Sequence, residues 1–367
     1  MPRLKNAVKR KPSLTTPGII DLHFHGAFGI DLMSASPEEL DRLSLKLWEN
    51  GIAGFCATTL SVPPAELEAT VARLGAWIRG ETAPGALPLG IHLEGPFIHP
   101  EACGAHPPGS LRDLGMKELE CLWTASQGTL KVLTLAPERL EPSELKRLAE
   151  WCGKRKIVLS LGHSRATEEE ARAAFDAGFS GVTHAWNALN FHHRAAGVLG
   201  GAIGRPGVYL EIIPDQVHVS RTVIRWTMKL HERCCFVSDC VPATATEPGT
   251  WHSFGSQLKI RFDGTACRLE NGALAGGGLL LGQSYGRWLQ DESAELKIPP
   301  LDLLKETVDS LTRLPREALG IPAAFFKHRQ VAWEFNLAGN LRVVPQESLP
   351  TSLKRPVRRP GVRRIKG

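Results

Sequence analysis

The chain has 367 residues, is 43% hydrophobic and 22% charged, and so can bury one large core. No apolar run reaches the roughly 18 residues that span a bilayer, and none follows the basic N-terminus as in a secretory signal, which predicts a cytoplasmic protein without a membrane anchor. The net charge of +6 comes from the two ends: residues 1–11 and 351–367 hold twelve Lys/Arg and no acid, and the remainder carries 32 basic against 38 acidic residues, which argues against a nucleic-acid-binding body.

In chain order, β-rich apolar runs recur at 19–24, 53–59, 88–93, 131–135, 157–161, 181–184, 208–212 and 235–238. Continuous apolar runs without alternation predict parallel strands buried on both faces. Helical signals separate most of them. Pro37 with Glu38 and Glu39 opens a helix that Gly51 ends. Thr167 and Glu170 have capping-box spacing before a stripe of Ala171, Ala174 and Phe175, with Gly178 as the stop. Residues 220–232 predict another helix, and 187–207 a long Gly-containing loop with a short one. Eight strands in β/α alternation predict a (β/α)8 TIM-type barrel.

Beyond Asp239 the pattern changes. Short strands are expected at 258–261, 267–269 and 331–335, with a helix over 299–311. We expect a short N-terminal segment of a small β-domain (1–16), the barrel (17–320) with a β insertion near 250–275, C-terminal strands of the small domain (321–350) and a basic, disordered tail (351–367). The eight cysteines form no C-x-x-C pair, and most are expected as buried thiols.

The chemistry-bearing residues fall at strand ends. His23 and His25 end the first run, Glu94 follows the third, His163 the fifth, His184 closes the sixth and Asp239 the eighth. In a barrel those ends share one rim, where active sites sit. A lone strand-end histidine is usually structural; six such residues from five strands predict a metal site. Imidazole and carboxylate ligands suit a divalent transition metal, zinc first, with iron, manganese, cobalt or nickel as alternatives. Such a centre suits hydrolysis, with Asp239 placed to carry a proton.

Eight segments then form an ordered set: PGIIDLHFHG (17–26), IHLEGPFIHPEACGAH (91–106), LTLAPE (133–138), LGHSRAT (161–167), THAWNAL (183–189), DQVHV (215–219), VSDCVPA (237–243) and ENGALAGGGLLL (270–281). Over most of its length the chain resembles the N-acetylglucosamine-6-phosphate deacetylases of the amidohydrolase superfamily. The resemblance implies a barrel with a small β-sandwich, and deacetylation of an amino-sugar phosphate. It implies Glu94, His163 and His184 as ligands of one ion; His23 and His25 resemble the pair by which some members of the family hold a second, bridged by Glu94, while other members lack the pair, so one or two ions per subunit are expected. It implies Asp239 as the general acid/base and His106 as a sugar contact that polarises the acetyl carbonyl. Asn187, Ala188, Arg194 and His218 are implied in holding the sugar phosphate, with some contacts made across a homodimer interface.

Three positions depart from the family pattern. Only about sixteen residues precede PGIID, so the N-terminal part of the small β-domain is expected to be shortened. The loop NFHHRAAG (190–197) lacks the usual Glu-Pro after its arginine, and Gln216 stands where a glycine is usual. A deacetylase of another N-acyl amino sugar or of an N-acyl amino acid would share the metal and Asp239 without needing Arg194. A non-catalytic barrel is the reading from another class, and the intact ligand set argues against it.

Overall fold

The eight apolar runs pair side by side into one parallel sheet. In the structure, a computed structural model that describes residues 13–80, 83–335 and 341–346, the barrel strands are Ile19–Phe24, Ile52–Thr58, Leu87–Glu94, Leu130–Leu135, Val158–Leu161, Gly181–Val182, Tyr209–Ile212 and Cys234–Phe236. Each lies next to its successor in sequence. The sheet is nearly closed: Phe24 bridges Cys240, and the amides of Asp239 and His25 donate to the carbonyls of His23 (3.1 Å) and Cys240 (2.7 Å).

Helices cover the outside. Pro37–Glu49 starts at Ser36, which forms a capping box with Glu39, and buries Leu40, Leu43, Leu47 and Trp48. Glu168–Ala177 starts at the Thr167–Glu170 box, and Gly178, at φ +120°, ends it. Between barrel and helices, Phe55 packs against Phe24 and Trp77 with ring centroids 5.4 and 6.3 Å apart.

Among the described residues three antiparallel sheets complete the architecture, one of them only the short pair Gly26–Ala27 and Ile30–Asp31. Ser13–Pro17, Gln330–Phe335 and Leu341–Pro345 form another, in which the buried Trp333 indole donates to Thr16 Oγ1 at 2.7 Å. Trp251–Phe254, Leu258–Phe262, Ala266–Leu269 and Leu274–Gly277 form the third. Its exposed and buried positions alternate along Leu258–Phe262, unlike those of the barrel strands.

Two expected strands end early. The run 181–184 is a strand only as far as Val182, because His184 sits at φ +28°, and the run 235–238 stops at Phe236, three residues before Asp239 at φ +52°. The helix expected over 299–311 is Pro300–Thr307 followed by a 3-10 turn, Val308–Ser310. The basic ends, 1–11 and 351–367, lie outside the described residues, as does part of the expected small β-domain. No described helix is long and apolar enough to cross a membrane.

Candidate metal centre and active site

The backbone kinks that shorten the strands turn side chains inward at the C-terminal rim. His163 (φ 49°), His184 (28°), Ala188 (51°) and Asp239 (52°) all take left-handed conformations that residues other than glycine seldom adopt. Around the buried Glu94 carboxylate five imidazoles converge. Oε1 lies 3.0 Å from His184 Nε2, 3.3 Å from His163 Nε2 and 3.3 Å from His23 Nε2. Oε2 lies 3.2 Å from His25 Nε2 and 3.3 Å from His106 Nε2. Asp239 Oδ1 stands 3.4 Å from the Nε2 atoms of both His23 and His25.

Hydrogen bonds on the far side of two of the rings decide their tautomers. His163 Nδ1 meets the Ala102 carbonyl at 2.8 Å, and His23 Nδ1 meets Glu211 Oε2 at 3.2 Å. Both partners only accept, so each Nδ1 carries the proton and each Nε2 turns a lone pair inward. Those lone pairs face carboxylate oxygens and other nitrogens: His163 Nε2 is 2.9 Å from His184 Nε2, and His23 Nε2 is 3.0 Å from His25 Nε2. Lone pairs this close repel unless a cation lies among them. The donor set therefore fits a divalent metal, and carboxylate or main-chain partners on the outer nitrogens are how metal-binding histidines are oriented.

His106 has the opposite polarity. The Ser61 amide donates to its Nδ1 at 3.1 Å, which leaves the proton on Nε2, a donor aimed at the centre. Burial holds it neutral by pushing its pKa down to about 4. With Glu94 and His163 it forms a group close enough to hold a metal ion, but in this tautomer it presents a donor, 3.3 Å from Glu94 Oε2.

Burial alone would raise the two acids, but the surrounding imidazoles win. His23 first, then the other histidines, hold Glu94 well below the ordinary value, and His23 and His25 bring Asp239 down to about 2. Burial pushes His23 and His25 down; Glu94 and Asp239 outweigh it and lift both. The Asp239 side chain is 15% exposed against 2% for Glu94, so Asp239 is the more accessible of the two acids.

The cleft above the cluster has a volume of about 350 Å³. It gathers His25, Glu94, His106, His163, His184, Asn187, Ala188, His218 and Asp239 from the expected residues. His23 lies beneath, fully buried. His218 is held by Asp215, Nδ1 to Oδ2 at 2.7 Å; burial lowers its pKa, but Asp215 wins and raises it. Arg194 is not brought in: it is exposed, on a loop outside the cleft. Two contributions were not expected from sequence. One wall comes from the four-stranded sheet through Phe254, Leu274, Ala275 and Gly276. Beneath the rim, Asp21, His92 and Glu211 are buried polar side chains. Their only signal in the sequence is a polar residue inside an apolar strand.

No family model matches the chain. It is 33% identical to the N-acetylgalactosamine-6-phosphate deacetylase of Escherichia coli O157:H7 over 273 residues, 74% of this chain and 71% of that protein. It is also 33% identical to the N-acetylglucosamine-6-phosphate deacetylase of Bacillus subtilis over 269 residues, 72% and 67% of the two chains. A mutant N-acetyl-D-glucosamine-6-phosphate deacetylase of Mycobacterium smegmatis, solved with N-acetyl-D-glucosamine-6-phosphate, superposes with a TM-score of 0.80 at 28% identity, over 90% of this chain and 84% of that one.

Proposed function

The chain belongs to the N-acetylglucosamine-6-phosphate deacetylase family of amidohydrolases, and on that premise we propose that it hydrolyses the N-acetyl group of N-acetylglucosamine 6-phosphate, giving glucosamine 6-phosphate and acetate. The observation that supports the reading is the ring of imidazole nitrogens around the Glu94 carboxylate, with the Asp239 carboxylate at its open side.

We assign Glu94, His163 and His184 to one divalent ion, and His23 and His25, with Glu94 shared, to a second; zinc is our first choice. Such an ion acts as a Lewis acid that polarises the amide carbonyl and acidifies water. The chain's own groups do the rest. Asp239, ionised at neutral pH, accepts the proton of the attacking water and returns it to the departing nitrogen as the C–N bond breaks. His106 donates its Nε2 proton to the oxygen that becomes negative. Asn187, Ala188 and His218 line the cleft where the sugar phosphate is held. Raised by Asp215, His218 favours the charged form that an anion needs.

Arg194 stands clear of its own cleft, as a residue serving a neighbouring subunit would. Close by, Phe191, Trp226 and Leu230 are 53%, 59% and 63% exposed around an apolar groove, which supports a homodimer. Eight free cysteines support a reducing, cytoplasmic setting.

The test is acetate release by the purified protein, with and without chelator and added zinc. Metal-dependent release from N-acetylglucosamine 6-phosphate, far faster than from N-acetylglucosamine, is expected. Metal-loaded protein that releases nothing sinks the substrate. The E. coli relative gives a second reading, the C4 epimer N-acetylgalactosamine 6-phosphate. A kcat/KM comparison of the two sugar phosphates decides between them.

A further inference from the structure

The metal centre rests on a second carboxylate. Glu211 belongs to the barrel strand Tyr209–Ile212 and is buried on the barrel interior, away from the cleft. Its Oε2 reaches two groups. One is His23 Nδ1, at 3.2 Å; the other is the backbone amide of His184, which donates to it at 3.3 Å. Its main-chain carbonyl accepts from the Ala185 amide at 2.7 Å. His23 and His184 belong to different halves of the ligand cluster, and His184 carries the strained φ of +28°.

Glu211, His23 and His92 lie close enough to be read as a metal site of their own. Hydrogen bonding argues against that. His23 Nδ1 is committed to Glu211. His92 uses Nδ1 on the Leu22 carbonyl (3.1 Å) and Nε2 on Thr134 Oγ1 (2.7 Å). Thr134 continues through Thr183 Oγ1 (2.6 Å) to Ser160 Oγ (2.7 Å). Neither His92 nitrogen is left to bind an ion. From His92 to Ser160 the layer is a chain of hydrogen bonds rather than a set of free ligand atoms.

We infer that Glu211 is the positioning residue of a two-ion centre: it fixes the His23 ring with Nε2 facing inward and clamps the turn that presents His184. The inference rests on the metal centre proposed above. Through one oxygen Glu211 holds an imidazole of one half and the backbone of the other, so its loss acts on both ions. Each half has one histidine whose Nδ1 lacks a hydrogen-bond partner, His25 and His184; the half containing His23 and His25 depends on Glu211 more, because its remaining outer bond is the one to Glu211, whereas that of the other half runs from His163 Nδ1 to the Ala102 carbonyl.

The experiment titrates metal-free, full-length protein with zinc alone, following heat and bound zinc by elemental analysis. Wild type should bind two ions. Glu211→Gln, which keeps the shape and one acceptor oxygen, should keep two but bind one about 10–100-fold more weakly. Glu211→Leu should bind one ion, and bind it more weakly than wild type does. One ion in wild type, or two in Glu211→Leu at wild-type affinity, overturns the inference. Should Glu211→Leu fail to fold, Glu211→Gln decides: unchanged affinities in it overturn the inference too. A purely structural role would lower the melting temperature of metal-free protein and leave both affinities alone. Acetate release is measured separately. Zinc lost from the variants while wild type is inactive on the sugar phosphate removes the substrate and keeps Glu211 in its role; unaltered zinc binding with active wild type does the reverse.

Discussion

Two layers of this molecule are equally buried and energetically opposite. Between barrel and helices lie Phe55, Leu43, Leu47 and Leu74, all fully buried; at the rim lie His23, His25, Glu94, His163 and His184, none more than 5% exposed. Burying a large apolar side chain contributes about 1.5–3 kcal/mol. Burying charges and holding residues such as His184 and Asp239 in left-handed conformations costs stability, on the order of 1–3 kcal/mol per strained residue. The lesson is that depth alone does not say what a residue is for. The outer layer makes the barrel, and the rim draws on the stability so provided to keep lone pairs and one acid in place.

Substitutions should separate the layers cleanly. The largest effect is expected from Asp239→Asn, which should lower kcat by about 100- to 10,000-fold while zinc content and melting temperature stay near wild type. Near-normal turnover would remove Asp239 from its role. Phe55→Ala should do the reverse, costing about 3–5 kcal/mol in urea unfolding with zinc stoichiometry and kcat per folded molecule unchanged; a change in zinc stoichiometry would mean the layers are coupled. His106→Phe should lower kcat by about 100- to 1,000-fold, or about 2.7–4 kcal/mol, without releasing metal. Metal loss in that variant would make His106 a ligand. Thr167→Ala, which removes a helix cap far from the chemistry, should cost about 1 kcal/mol and leave every kinetic constant alone.

The apolar layer was the more legible in sequence. Strands buried on both faces leave uninterrupted runs, so all eight were located to within about two residues, and Ile19–Phe24 at both ends. The Thr167 cap is local, and its spacing to Glu170 reveals it; Pro37 marked the start of the first helix, but the Ser36 cap before it was not read. The rim was legible where a polar residue follows an apolar run, as at Glu94, His163 and Asp239. It was not legible where one interrupts a run. Glu211 in YLEI reads as an outward-facing residue, and only the closure of the barrel brings it to His23 and the His184 amide. Arg194 shows the converse: the family resemblance implied a part in holding the sugar phosphate, while the loop turns it outward from its own cleft. The wall formed by Phe254 and residues 274–276 went unnoticed because contacts between distant segments leave no periodicity.

That wall is stitched to the acid. The Gly277 amide donates to the Asp239 carbonyl at 2.8 Å, and Thr244 Oγ1 donates to the Gly277 carbonyl at 2.6 Å. At Gly276, with φ +142°, a side chain would begin 2.6 Å from the same Asp239 oxygen. A transplant of residues 251–277 from another deacetylase, made to change sugar preference, would therefore exchange the support of Asp239 along with the wall. The graft should end before Gly276 and keep the native Gly276–Gly277 seam, so that selectivity can be re-engineered while turnover is left intact.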